Sequence, residues 1–304
     1  MEVSVVVCTH ASERFPDLVE AVESIQAQRY DQVETVVVCD GNDDLAERIT
    51  ERFRDDPDVQ VHCNETNRGV SYSRTKGAEV AAGDIVAFID DDAVARPDWI
   101  ENLVAVYEET DALAVGGRMA GQWLGGDPWY LPEEFYWLVG VTHRGFADAG
   151  EEVRNTYESN ISFRRDVFLD LGGFDTSFGP TATTYSHSEG AEIGTRLRRA
   201  YDSGVVYEPD AVVEHKVFAY RLSLGWLFEK SLQQGESKYQ LGQQTTADIG
   251  SEAGFLRELL LDHVPRRLGA LVRSPSKSKV AQFVMLFVLT GLVGVGYLRA
   301  ALTR

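Results

Sequence analysis

Three consecutive carboxylates, Asp90, Asp91 and Asp92, follow directly on the apolar run Ile85–Ile89. An apolar run of that length reads as a strand buried on both faces of a parallel sheet. In open α/β sheets, ligands sit just beyond the carboxyl ends of such strands. Adjacent carboxylates repel and raise one another's pKa, and a divalent cation relieves that repulsion. Mg²⁺ or Mn²⁺ takes one or two carboxylates and completes its shell with substrate phosphates. The triplet therefore points to a metal–diphosphate site and a nucleotide-activated substrate. Asp-rich loops after strands also serve as solvated turns and helix N-caps, and Asp92 or Asp98 is placed to cap a helix that opens near Pro97.

Two other strand ends carry similar chemistry. The first apolar run leads into Thr9-His10-Ala11-Ser12-Glu13-Arg14, the second into Asp40-Gly41-Asn42-Asp43-Asp44. If these strands are parallel neighbours, Thr9, Asp40 and the triplet share one sheet edge. Asp40 suits a base or ribose donor, whereas the triplet suits a metal. Gly41 lets the backbone turn tightly beside a ligand.

The elements needed to hold these residues are legible around them. Val3–Cys8, Val33–Cys39 and Val59–His62 read as strands, with helices opened by Pro16, marked by Leu45, Ile49 and Phe53, and spanning Val70–Ala82. Strand–helix alternation implies βαβ units, a parallel sheet and right-handed crossovers. Ala112–Val115 looks like a further strand ended by Gly116-Gly117. Residues 121–150 read as a long irregular segment whose Trp123, Trp129, Tyr130, Phe135, Tyr136 and Trp137 suit a sugar, lipid headgroups or a core. Strand-like runs return at 155–165 and 205–214, and the pattern is helical from about Arg221.

Composition bounds the reading. The 304 residues, 44% apolar, suit a globular chain with one large or two modest domains. A net charge of −19 argues against nucleic-acid binding. An acidic chain with six lysines resembles proteins of salt-loving archaea, although an ordinary acidic cytosolic protein shares this balance. Cys8, Cys39 and Cys63 lack zinc or disulfide spacing and read as reduced thiols. No signal peptide is visible.

Val280–Leu298 carries no charge and is flanked by Lys277, Lys279, Arg299 and Arg304. That is near the minimum for a membrane-spanning helix; a buried terminal helix or an oligomer contact gives the same pattern. Phe255–Val272 is amphipathic and interfacial in character. Gly291, Gly294 and Gly296 follow no strand, so they suggest close helix packing rather than nucleotide binding.

Taken in order, Val5-Val6-Val7-Cys8-Thr9-His10, Val37-Val38-Cys39-Asp40-Gly41-Asn42-Asp43-Asp44, Asn67-Arg68-Gly69-Val70 with Arg74, Phe88-Ile89-Asp90-Asp91-Asp92, Ser159–Arg165 and Leu171-Gly172-Gly173-Phe174-Asp175 resemble the family 2 inverting glycosyltransferases. The resemblance covers residues to about 220. It implies an α/β GT-A nucleotide-sugar-binding fold with a mostly parallel central sheet over 1–220 and a helical, membrane-associating region over 221–304, with a possible span at 280–298. It implies that Thr9 and Asp40 contact the nucleoside base, Asp40 at an imide N–H. Arg74 would lie near base or diphosphate, Asp90 on the ribose or sugar side, and Asp92 on the Mg²⁺ or Mn²⁺. Arg14 and Asp91 count with the nucleotide-sugar contacts.

Inverting transfer needs a general base, which the family supplies as the Asp of a Glu-Asp pair at a helix start. The corresponding segment here is Ser188-Glu189-Gly190-Ala191-Glu192, with glycine at the Asp position. Glu189 is then the preferred base and Glu192 the alternative; both are also ordinary N-terminal helix carboxylates. His215, after Ala211-Val212-Val213-Glu214, is placed to reach the metal or diphosphate, and Arg221 to neutralise the departing diphosphate.

The expected function is transfer of a hexosyl or hexuronosyl group from a nucleotide-diphosphate sugar to a lipid-linked, dolichyl phosphate type glycan in protein N-glycosylation, at the cytoplasmic side of a cell membrane and without nucleic acid. A non-catalytic nucleotide-sugar-binding scaffold is the alternative that Gly190 keeps open. A nucleotidyltransferase would carry a Gly-rich basic loop after the first strand, which Thr9-His10-Ala11-Ser12 is not.

Overall fold

The computed structural model describes residues 1–179, 188–244 and 250–303, in two compact units. The first comprises residues 1–120 and 147–216. Its parallel half consists of β1 (Val3–Thr9), α1 (Phe15–Gln26), β2 (Val33–Asp40), α2 (Asp43–Arg52), β3 (Val59–Asn64), α3 (Val70–Val80) and β4 (Ile85–Asp90). These are followed by β5 (Ala93–Ala95), α4 (Trp99–Glu109), β6 (Ala114–Trp123), β7 (Glu152–Val153), β8 (Ile161–Arg164), α5 (Arg165–Asp170), α6 (Glu189–Tyr201) and β9 (Val205–Val217). The sheet order is β3-β2-β1-β4-β8-β6-β9-β5, with β7 also on β9.

The strands β1 to β4 pair in parallel; the apolar runs of β1, β2 and β4 are buried on both faces, whereas β3, at the sheet edge, is only half-buried. Val5 and Val7 pack on one face with α1, α2 and α4, whereas Val6 packs on the other with Phe88, Phe163, Phe168 and Phe174. Beyond β4 the pairing is antiparallel: β8 lies against β4 and β6, and β9 against β5 and β7. Register sets Thr9 opposite Cys39, Cys8 opposite Asp90, and Ala93 opposite His215. Of the two aspartates placed to cap α4, Asp98 holds the N-cap position, but its side chain makes no cap hydrogen bond.

Gly116 and Gly117 lie inside β6 rather than ending it. A Cβ on Gly117 would overlap the carbonyl of Ala211, and one on Gly116 the side chain of Thr156, so the strand needs both glycines to fit its neighbours. The three cysteines are free thiols.

Residues 121–146 belong with the chain from Val217 onward, whereas the sequence reading placed them in the first domain. The cause is a shared core: Leu131, Phe135, Leu138 and Val141 pack with Leu222, Leu227, Leu259, Met285, Leu286 and Leu289. This second unit contains a 3-10 helix at Glu133–Val139, then α7 (Leu224–Gln244), α8 (Gly250–Glu258), a π turn at Leu259–His263, α9 (Val264–Arg273) and α10 (Lys277–Leu302). Glu134, fully buried, receives Arg266 and a two-pronged contact from Arg267. Gly235 of α7 and Gly296 of α10 let those helices touch backbone to backbone, the close packing expected of Gly296, whereas Gly291 and Gly294 face open space. Trp129 is exposed and Phe135 buried, so the aromatic segment is partly core.

Helix α10 has 26 residues and is long and apolar enough to cross a membrane; only 22% of its most apolar stretch is buried. Arg304 lies outside the described residues.

Candidate active site

The first unit gathers two charged groups at the carboxyl ends of its parallel strands. The first group surrounds Asp92. Thr9, last residue of β1, donates its hydroxyl to Asp91 Oδ2 at 2.6 Å. Arg14, just before α1, donates to Asp92 Oδ2 at 3.1 Å. On the other side of Asp92, His215 Nε2 lies 3.5 Å from Oδ1. The pairing of β5 with β9 fixes this approach, helped by the Lys216 N–H, which donates to the Asp92 carbonyl at 2.9 Å. Lys216 itself is buried and held by Asp17 at 2.8 Å and by Glu20. Burial, with the charges of Asp92 and Asp90, pushes the Asp91 carboxyl up to about 7 against the Thr9 hydrogen bond.

Among the described residues, no three His, Cys, Asp or Glu side chains form a metal cage. Mg²⁺ and Mn²⁺ do not need one: a carboxylate and an imidazole, completed by diphosphate oxygens, suit them. The adjacent Asp92 and His215, both buried at the end of the sheet, fit such a cation.

The second group surrounds Arg74, buried on α3. Its guanidinium donates to Asp90 Oδ1 at 2.6 Å and to Glu189 Oε1 at 3.4 Å. Burial opposes its charge, but Asp90, Glu189 and Glu158 together hold its pKa above the ordinary value. Glu189 opens α6 and is 3% exposed. Its Oε2 has no hydrogen-bond partner among the described residues. Burial first, and then the charge of Glu158, push its carboxyl up to about 8 despite Arg74. Burial likewise raises Glu158, which Arg74 opposes. Glu158 Oε1 accepts the Gly190 N–H at 2.8 Å, satisfying a donor that the first turn of α6 leaves open.

Two of the candidate carboxylates are also engaged within the fold. Asp40 accepts from Asn64 Nδ2 at 2.8 Å, from the Arg68 N–H at 3.0 and 3.2 Å, and from the Gly69 N–H at 2.8 Å. Its carboxylate clamps the turn ahead of α3. Glu192 faces Arg196, whose Nε and Nη2 donate to its two oxygens at 2.6 and 2.5 Å. Arg196 also donates to the carbonyls of Leu171 and Gly173. Glu192 thus braces the 171–173 turn through Arg196.

Thr9, Arg14, Asp91, Asp92 and His215 are therefore brought together, as are Arg74, Asp90 and Glu189. Arg221 lies in the second unit, within the 3-10 turn Ala219–Leu222, its Nε 3.1 Å from the Tyr220 hydroxyl. Sequence reasoning missed Glu158, Asn64 and Lys216. A glycine where a carboxylate belongs was the signal that another residue had to be sought near position 190.

The sequence profile of glycosyl transferase family 2 matches residues 4–172. The chain is 47% identical over 304 residues to a glucosyl-dolichyl phosphate glucuronosyltransferase of Haloferax volcanii, covering 100% of this chain and 97% of that protein. It is 26% identical over 249 residues to the succinoglycan biosynthesis protein ExoM of Rhizobium meliloti, covering 79% and 75% of the two chains. Among solved structures, the mannosyltransferase PcManGT from Pyrobaculum calidifontis, in complex with GDP-Man and Mn²⁺, aligns with a TM-score of 0.62 at 17% identity, over 99% of this chain and 86% of that one. Residues 1–349 of S. aureus TarS in complex with UDP-GlcNAc align with a TM-score of 0.55 at 17% identity, over 98% and 89%.

Proposed function

The chain belongs to glycosyl transferase family 2, a glycosyltransferase with the GT-A fold, and from that premise we propose that it transfers a hexuronic acid, glucuronic acid in the first instance, from a nucleoside diphosphate to a sugar carried on dolichyl phosphate. The observation that carries this reading is the 47% identity to the Haloferax glucuronosyltransferase, which runs the whole length of the chain, helical unit included. The N-glycosylation setting, the membrane location and the cytoplasmic orientation belong to the same proposal.

Asp92 and His215 would hold Mg²⁺ or Mn²⁺, which when bound offsets the negative charge developing on the departing diphosphate. Arg14 orients Asp92 from the side opposite His215. Thr9 holds Asp91 beside it. Arg74 fixes Asp90 at the end of β4, where a donor would lie. A carboxylate in the cluster around Arg74 takes the acceptor proton. Arg74 is buried with Phe174 against its guanidinium, so its charge acts in a medium of low dielectric.

The test is an assay in molar KCl with glucosyl dolichyl phosphate and a panel of UDP-, GDP- and dTDP-sugars, with and without Mn²⁺. The expected product is the lipid increased in mass by one hexuronic acid residue. Donor binding without transfer from any sugar nucleotide would favour the scaffold reading instead.

A further inference from the structure

The head of α6 is built around a glycine. An added Cβ at Gly190 would overlap Glu158 Oε1, the same oxygen that accepts the Gly190 N–H. The Glu158 carboxylate thus fills the place into which a side chain at position 190 would project. It does so from another segment, the turn Tyr157–Asn160, which is fixed to the sheet. Ser159 Oγ accepts the Asp90 N–H at 2.9 Å. Asn160 accepts from Trp99 Nε1 at 2.8 Å and donates to the carbonyls of Arg118 and Ala211 at 3.0 and 2.9 Å. Glu158 is therefore held rigidly beside the end of β4.

Three carboxylates share this corner, Asp90, Glu158 and Glu189, and they differ in access. Glu189 is 3% exposed and one of its oxygens faces Arg74. Glu158 is half-buried. A general base must touch the hydroxyl it deprotonates; Asp90 is held by the Arg74 guanidinium at 2.6 Å, and of the two glutamates only Glu158 has surface to offer. We propose that Glu158 is the general base of the transfer, supplying from the 157–160 turn the carboxylate that α6 lacks at Gly190, with Glu189 and Arg74 as positioning residues.

In this step the acceptor hydroxyl gives its proton to Glu158 while its oxygen bonds to the anomeric carbon of the donor. The bond from that carbon to the diphosphate oxygen breaks, and its electron pair leaves on the nucleoside diphosphate. The charged groups acting on Glu158 are Arg74 and Asp90, with the Gly190 N–H of α6 on one oxygen; Glu189 feels its charge in turn.

The assignment rests on the glycosyl-transfer reading and is tested beside it. Glu158→Gln keeps an oxygen for the Gly190 N–H and removes the base. Turnover on glucosyl dolichyl phosphate is expected to fall at least about 100-fold, while the Kd for UDP-glucuronic acid with Mn²⁺, by calorimetry, stays within about twofold. Glu158→Asp should recover at least about a tenfold advantage over the Gln variant. Gly190→Ala, which pushes on Glu158, should lower turnover at unchanged donor Kd. Glu189→Gln should lose less turnover than Glu158→Gln and move the rising limb of the kcat/KM profile along the pH axis. Glu158→Gln turning over within threefold of wild type, or Glu189→Gln losing more than it, would overturn the assignment. Wild-type enzyme that transfers nothing from any sugar nucleotide overturns the glycosyl-transfer reading itself, and the assignment falls with it.

Discussion

His215 faces Asp92 across 3.5 Å because two short stretches of chain, 123 residues apart in number, are paired as antiparallel strands. The strand β5 is only three residues long, yet it turns the acidic triplet back beside β9. An imidazole and a carboxylate set side by side at the end of a sheet would offer a cation two donors, with diphosphate oxygens to complete its shell. Asp92→Ala should lower Mn²⁺-supported turnover roughly 100-fold or more. His215→Ala should raise the Mn²⁺ concentration needed for half-maximal turnover about 10- to 100-fold. Manganese titration of the transfer rate measures both, and unchanged titration curves would remove the pair from the metal.

Glu189 links the site to stability. Its carboxyl is pushed from 4.5 up to about 8 in the folded chain, chiefly by burial. The folded state therefore holds this proton over a range where the unfolded chain releases it. Stability from this group is fully present below the unfolded value and is lost as pH rises toward about 8. Glu189→Gln, which resembles the protonated form, should melt above wild type at pH values beyond that point and level with it in acid. Thermal melts across pH in constant high salt read the difference; parallel curves would contradict the shift.

How far the sequence foretold this site depends on how local each contact is. The strands β1, β2 and β4 were legible because burial on both faces demands unbroken apolar runs. The triplet was legible because it terminates one of them. The strand β5 was not, since three residues carry no period. Asp40 was visible as a carboxylate at a strand end, but its partners Arg68 and Gly69 return from 28 and 29 residues away, so its clamp role was hidden. Glu192 was hidden in the same way by Arg196. Glu158 sits in a polar turn with no pattern, and only the missing carboxylate at Gly190 hinted at it. Residues 121–146 were misassigned because their apolar side chains answer to helices more than eighty residues later.

The helical unit turns on Glu134, which is fully buried under Arg267 and the more exposed Arg266. Breaking a buried pair leaves an uncompensated charge, at a cost of about 3–5 kcal/mol. Arg267→Ala should therefore destabilise this unit more than Arg266→Ala, whose partner is screened by solvent. Hydrogen exchange in Glu133–Val139 and α9 would report the difference; equal protection in the two variants would refute it.

Helix α10 buries Met285, Leu286 and Leu289 against the second unit, and turns Val280, Val284, Phe287, Val295 and Leu298 outward. The outward residues recur at helical spacing, so they form one apolar face rather than scattered exceptions. The neighbouring segment exposes Leu256, Leu260, Leu261, Leu268 and Val272. Its charge is opposite to that of the chain as a whole: apart from Arg266 and Arg267, which pair with Glu134, the cations Arg257, Arg273, Lys277, Lys279 and Arg299 outnumber Glu258 and Asp262. Apolar faces framed by arginine and lysine bind anionic lipid surfaces. The double change Val284→Glu and Phe287→Glu alters side chains that are 53% and 48% exposed, so the buried face of α10 and its contact with α7 stay intact. It is expected to release the protein from anionic vesicles in flotation assays, with donor binding preserved. Retained flotation together with loss of the folded second unit would show instead that this face is internal to the protein, not its contact with lipid.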